Sequence, residues 1–267
     1  MKLKDLFTFE RERNVFTRTF TRIWLFLKPK REAEAALRKK ELSIDIFTAR
    51  NAAVMALIFA WAGFYFLYQY NFVETPNYYH GPLFSVAPNL FLQQFRFDAL
   101  DAFCSYFYVY GMALLYMFFW GMAFASERKM WKLALGFLAC WIAQGTLQLA
   151  IGCASPIRIP GNGVDFIRYE VFPLSESMIG IKYGAIPSGH VGAPVILFLA
   201  GWLRKIKWAQ WMALGFFIAF WFTILYLGEH YIVDGLVSLV VYPTMFLGAW
   251  KFATWYERRH ARKGRGC

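Results

Sequence analysis

Charged residues cut this chain into long uncharged stretches. Between Arg50 and Glu74 lie 23 residues without a charge, positions 51–73. Further stretches are 102–126, 133–157, 183–203 and 208–228, with 25, 25, 21 and 21 residues. A sixth, 235–250, has only 16. A helix needs about 20 mostly apolar residues to cross a hydrocarbon core roughly 30 Å thick. The pattern therefore predicts six transmembrane helices. The sixth begins ahead of Asp234 and takes residues 229–234 into its first turn. The expected fold class is all-α: a polytopic membrane protein built as a six-transmembrane-helix bundle.

Composition points the same way. Apolar residues make up 58% of the chain and charged residues 17%, where soluble domains average about 45–50% and about 25%. This excludes a soluble enzyme, a disordered chain and a small disulfide scaffold. The net charge is +12, and its placement decides what it means. With six spans, one side carries 25 of the Lys and Arg residues, and the other only Arg96, Arg158, Arg168 and Lys182. Basic loops stay cytosolic, so both termini are expected there. The excess charge then faces anionic lipid, and no nucleic-acid partner is expected. The loops 71–101 and 153–187 and the turn 228–234 fall on the extracytoplasmic side.

Residues 1–50 hold no span. Phe7, Phe16, Phe20, Trp24 and Leu27 alternate with Arg and Lys, as in an N-terminal amphipathic helical segment lying in the cytosolic interface. Residues 51–252 form the expected catalytic membrane domain, and 253–267 a basic cytosolic tail. Cys104, Cys140, Cys153 and Cys267 lack CxxC spacing, so free thiols are expected. The cluster Ile23–Leu27 is too short for the h-region of a cleavable signal peptide.

Two of the four histidines stand where chemistry is possible. His190 follows Pro187, Ser188 and Gly189 at the entry to the fourth span. His230 lies between the fifth and sixth spans, with Asp234 four residues on. Ser188 is a good N-cap, and a helix beginning there offers free N–H groups and partial positive charge to an anion. Gly189 lets an oxyanion approach the backbone. His230 and Asp234 share a helix face. The carboxylate would keep one imidazole nitrogen protonated and the other free to attack, while His190 would protonate a leaving group. Arg158, Arg168 and Lys182 are the cations available to clamp phosphate oxygens. The same residues also admit hydrogen-bonded helix-end histidines, a two-His-plus-Asp metal site or a proton relay in a non-enzymatic transporter.

Pro187-Ser188-Gly189-His190 and His230-x-x-x-Asp234 resemble the second and third motifs of the type 2 phosphatidic acid phosphatase superfamily. The resemblance spans roughly residues 100–250. It implies His230 as the nucleophile that forms a phosphohistidine, Asp234 as its orienting carboxylate and His190 as the acid for the leaving alcohol. Ser188 and the Gly189 amide would bind phosphate, with neither metal nor other cofactor.

The chain departs from that pattern at its cations. Family phosphatases carry Ser-Arg upstream of the third-motif histidine with five residues between, and Thr223 and Ile224 stand there. The first motif, Lys-x6-Arg-Pro, has no clear match, and Arg158-Ile159-Pro160 and Lys182 are the nearest substitutes. Gly184–His190 together with Tyr226–Asp234 looks more like the aureobasidin-sensitive inositol phosphorylceramide synthase branch. That branch implies a lipid phosphotransferase with a phospholipid donor, a lipid or polyol alcohol acceptor and the bilayer as partners. A phosphatase for lipid phosphates or polyprenyl pyrophosphates, with water as acceptor, is the alternative.

Overall fold

The computed structural model describes residues 49–71, 77–79, 81–125, 129–175 and 184–263. Lys182 and nearly all of the expected interfacial segment fall outside these. Among the described residues the chain is helical and holds no strand. We number the helices α1 (Ala49–Asn71), α2 (Ala87–Gln93), α3 (Asp98–Ala125), α4 (Met130–Ile151), α5 (Ile167–Val171), α6 (Gly189–Arg204), α7 (Lys207–Tyr226) and α8 (Ile232–Lys263).

Among the described residues, four helices are long and apolar enough to cross a membrane: α3, α4, α7 and the Ile232–His260 part of α8. The chain is accordingly an integral membrane protein. Two further predicted spans appear as shorter apolar helices, Asn51–Tyr65 within α1, and α6. α6 has 16 residues, about 24 Å of helix at 1.5 Å per residue. It is short because Pro187 and the Ser188 cap delay its start beyond the first residues of its uncharged stretch. α8, by contrast, runs on without interruption into the basic tail.

α6 lies at the centre, packed against α3, α4, α7 and α8, while α4 also packs against α1 and α8. Phe119, Phe137, Leu197, Phe220 and Phe246 fill the core between them. Between helices that lie in lipid, such side chains stabilise through close van der Waals packing. One close approach depends on a missing side chain: a Cβ at Gly192 would stand 2.0 Å from Cζ of Tyr242. The glycine is thus the notch through which α8 seats its tyrosine against α6.

The segments before α3 and after α4 form a roof over one end of this bundle. Arg96 is its organiser, with ion pairs to Asp101, Asp165 and Glu170 at 3.1, 2.8 and 2.9 Å. From α2, Asn89 donates to the carbonyls of Leu225 and His230, at 2.7 and 3.2 Å. Gln93 donates to Tyr226 and Asp165 carbonyls and accepts from the Asp165 N–H. These amides fix the α7–α8 turn. Gly228 in that turn has φ +70°, the left-handed region, and a Cβ there would meet Val164 at 2.3 Å.

Candidate active site

α6 and α8 both begin beneath the roof, which brings His190 and His230 together with ring centroids 6.1 Å apart. Ser188 caps α6 by accepting from the Val191 N–H at 3.5 Å, as expected from sequence. Its N–H donates to the Asp234 carbonyl at 3.3 Å. Ser238 ties the pair again, donating to the carbonyls of Ser188 and Asp234 at 3.0 and 2.7 Å. The two helix starts are therefore one hydrogen-bonded unit.

His230 is held on one edge only. Its Nδ1 faces Asp234 Oδ2 at 3.0 Å and the Ala185 carbonyl at 2.9 Å. Both partners accept, so Nδ1 carries the hydrogen and Nε2 keeps a free lone pair. Asp234 is itself fixed, because Oδ2 also accepts from the Tyr231 N–H at 2.9 Å. His190 is held differently. Its Nε2 donates to the Tyr108 carbonyl at 3.1 Å, and its ring stacks on the Tyr108 ring at 3.9 Å. Tyr108 sits in a π-helical stretch of α3, Phe107–Gly111. Such a stretch releases a backbone carbonyl from the regular ladder and recurs at functional sites.

The cation that reaches this site is Arg168 on α5. It is buried, and its Nε and Nη2 lie 2.7 Å from Glu229 Oε1. Nη2 also donates to Tyr169 Oη at 2.6 Å, while Nη1 has no hydrogen-bond partner among the described residues. The guanidinium stands 4.9 Å over the Tyr108 ring and 4.3 Å over the Tyr169 ring. Burial, the largest single influence, lowers its pKa, but the Glu229 carboxylate together with Tyr108 and Tyr169 outweighs it, and the net shift is upward. Arg168 stays charged at any physiological pH.

A cavity of about 350 Å³ opens beside these groups. His190, His230, Gly189, Arg168, Glu229 and Tyr108 line it, and Trp61, Tyr65, Tyr116 and Trp141 continue it on an aromatic flank. The remaining expected phosphate ligands fare differently. Ser188 is fully buried, with its hydroxyl engaged in the cap, and is not part of the cavity wall. Arg158 stands one residue back, donating to Tyr169 Oη at 3.1 Å. Ile224, at the position of the family arginine, is buried apolar core whose carbonyl accepts from the Glu229 and His230 N–H groups.

Glu229 was unassigned in the sequence, although it adjoins His230. A second missed signal lies in α4. Gln148, six further residues and Ser155-Pro156 reproduce the spacing of Lys-x6-Arg-Pro with neither cation, and both Gln148 and Ser155 line the cavity. Gln148 has no donor left for a ligand. Its Nε2 binds the Gly184 and Pro187 carbonyls at 2.7 and 2.9 Å, and its Oε1 accepts from Tyr65 at 2.5 Å. It pins the loop that leads into α6. A search for positive charge passes over this pair.

A family model described as the PAP2 superfamily matches residues 86–247. No curated protein and no solved structure matches the chain. The matched stretch runs from the start of α2 through the first half of α8, and every residue of the imidazole pair, its carboxylate and the buried arginine lies inside it. With half the chain and more accounted for in this way, the protein belongs to the PAP2 superfamily, whose chemistry is of the phosphatase and phosphotransferase type.

Proposed function

We propose that this protein is a membrane lipid phosphotransferase that acts on phosphodiesters by double displacement. His230 Nε2 attacks phosphorus, and the P–O bond to the leaving alcohol breaks. His190, starting with a proton on each ring nitrogen, gives that oxygen the one on Nδ1, and the phospho-headgroup rests on His230. An acceptor alcohol, on a lipid or a polyol, then attacks. Its proton passes to His190, the P–N bond breaks, and both imidazoles return to their starting state. The Gly189 backbone N–H and Arg168 hold the phosphoryl oxygens.

The observation that carries this reading is the charge around the cavity. Arg168 is its one described cation, and Glu229 lies 2.7 Å from it. Asp234 sits behind His230. Like charges in a dry site repel by several kcal/mol. A phosphomonoester dianion meets that repulsion twice over, and a diester monoanion once. The resemblance to the inositol phosphorylceramide synthase branch supports the same direction. With six spans, the 25-to-4 division of basic residues supports cytosolic termini and an outward-facing site.

The test uses purified full-length protein and phospholipids labelled in the phosphate. Phosphatidylinositol, phosphatidylglycerol and phosphatidylethanolamine are each offered with and without ceramide or a polyol. Acceptor-dependent label transfer is expected, with acid-labile label trapped on His230. Release of inorganic phosphate from phosphatidic acid as the sole activity sinks the transferase reading in favour of hydrolysis. Flux across sealed liposomes without covalent label sinks both.

A further inference from the structure

Gln144 stands one turn before Gln148 on α4 and lines the same cavity, yet it belongs to no motif. Its carboxamide is held from one side. Tyr242 Oη donates to Gln144 Oε1 at 2.5 Å, and Tyr242 is itself seated in the notch left by Gly192. With the oxygen occupied, the NH2 end turns to Gly189. The point a Cβ would take on Gly189 is 2.9 Å from Gln144 Nε2. Unlike Gln148, whose donors are both used, this nitrogen makes no hydrogen bond among the described residues. It therefore hangs over the first residue of α6, beside the backbone N–H groups that the helix leaves unpaired.

We infer that Gln144, oriented by Tyr242, donates a hydrogen bond to the phosphoryl oxygen that sits on the Gly189 N–H, and that this neutral donor sets the preference for phosphodiesters. The inference rests on the phosphoryl-transfer reading of the site. Charge grows on the non-bridging oxygens as the P–N bond forms, and a pre-aimed amide stabilises it without reorganisation. A lysine reaching the same place would attract a second formal charge on the substrate, and an amide does so far less. A neutral side chain also avoids the desolvation cost of an ion at the edge of a membrane.

The experiment compares dodecyl 4-nitrophenyl phosphate, a diester, with dodecyl phosphate, a monoester, on full-length protein in mixed micelles. Gln144→Leu is expected to lower kcat on the diester about 100-fold with little change in KM. Tyr242→Phe keeps the ring in its notch and loses only the orienting hydroxyl. A smaller fall, about tenfold, is expected, again in kcat. Gln144→Lys should raise the monoester-to-diester ratio of kcat/KM about tenfold. Wild-type kcat in Gln144→Leu overturns the inference, and so does an unchanged ratio in Gln144→Lys. Matching losses of thermal stability in Gln144→Leu and Tyr242→Phe overturn it as well, because the amide would then only pack. His230→Ala serves as the separate control: if it turns over the diester, the phosphoryl-transfer reading itself fails.

Discussion

The start of α6 and the start of α8 each present one histidine to the same cavity, but they hold it in opposite ways. His230 has a carboxylate and a carbonyl on Nδ1 and nothing on Nε2. His190 has a carbonyl on Nε2, a tyrosine ring against its face and no carboxylate. A carboxylate partner favours the positively charged or phosphorylated imidazole. A stacked ring and a single carbonyl on Nε2 leave Nδ1 of His190 for a proton that is given up and taken back. Position relative to the carboxylate, and not the residue type, is what separates the proposed nucleophile from the proposed proton carrier.

Substitutions can break this contrast. The largest expected effect is that of His230→Ala, about a millionfold in transfer rate, with loss of the trapped phosphoprotein. Asp234→Asn comes next. Its amide can donate to Nδ1 and leave the wrong ring nitrogen bare, so a fall of about 10⁴ in kcat is expected with KM near normal. For His190→Gln the leaving group decides the size. A fall of about 10²–10⁴ is expected with an alkyl alcohol, but little with 4-nitrophenolate, which departs without a proton. Equal losses on both substrates would remove His190 from the acid role. The smallest effect is expected for Arg168→Lys, which keeps the charge and loses the planar fork to Glu229 and Tyr169. One charge-assisted hydrogen bond is worth about 1.5–3 kcal/mol, so transfer should fall about 10- to 100-fold in a steady-state assay.

What the sequence made legible were features encoded locally. The uncharged stretches located the helices, Ser188 its cap, and the four-residue step from His230 to Asp234 their contact. The encounter of the two histidines followed from two helices that start at one level. The cation did not follow, because Arg168 and Glu229 are 61 residues apart and meet only through the folding of the roof. Arg96, another cation of the roof, is occupied by three carboxylates that no spacing rule associates with it. Gln148 and Ser155 had the right spacing and the wrong charge. Gln144 becomes significant only once Tyr242, 98 residues later, is seen to bind it. Span number was less legible than span position. Charge gaps measure where polar residues stop, whereas the Ser188 cap sets where α6 begins.

The buried pair between Arg168 and Glu229 has a mechanical consequence. Separating such ions without a new partner costs about 3–5 kcal/mol, and Glu229 is bonded in sequence to His230. A turnover cycle that lifted α5 like a hatch would meet that penalty each time and would drag His230 out of line.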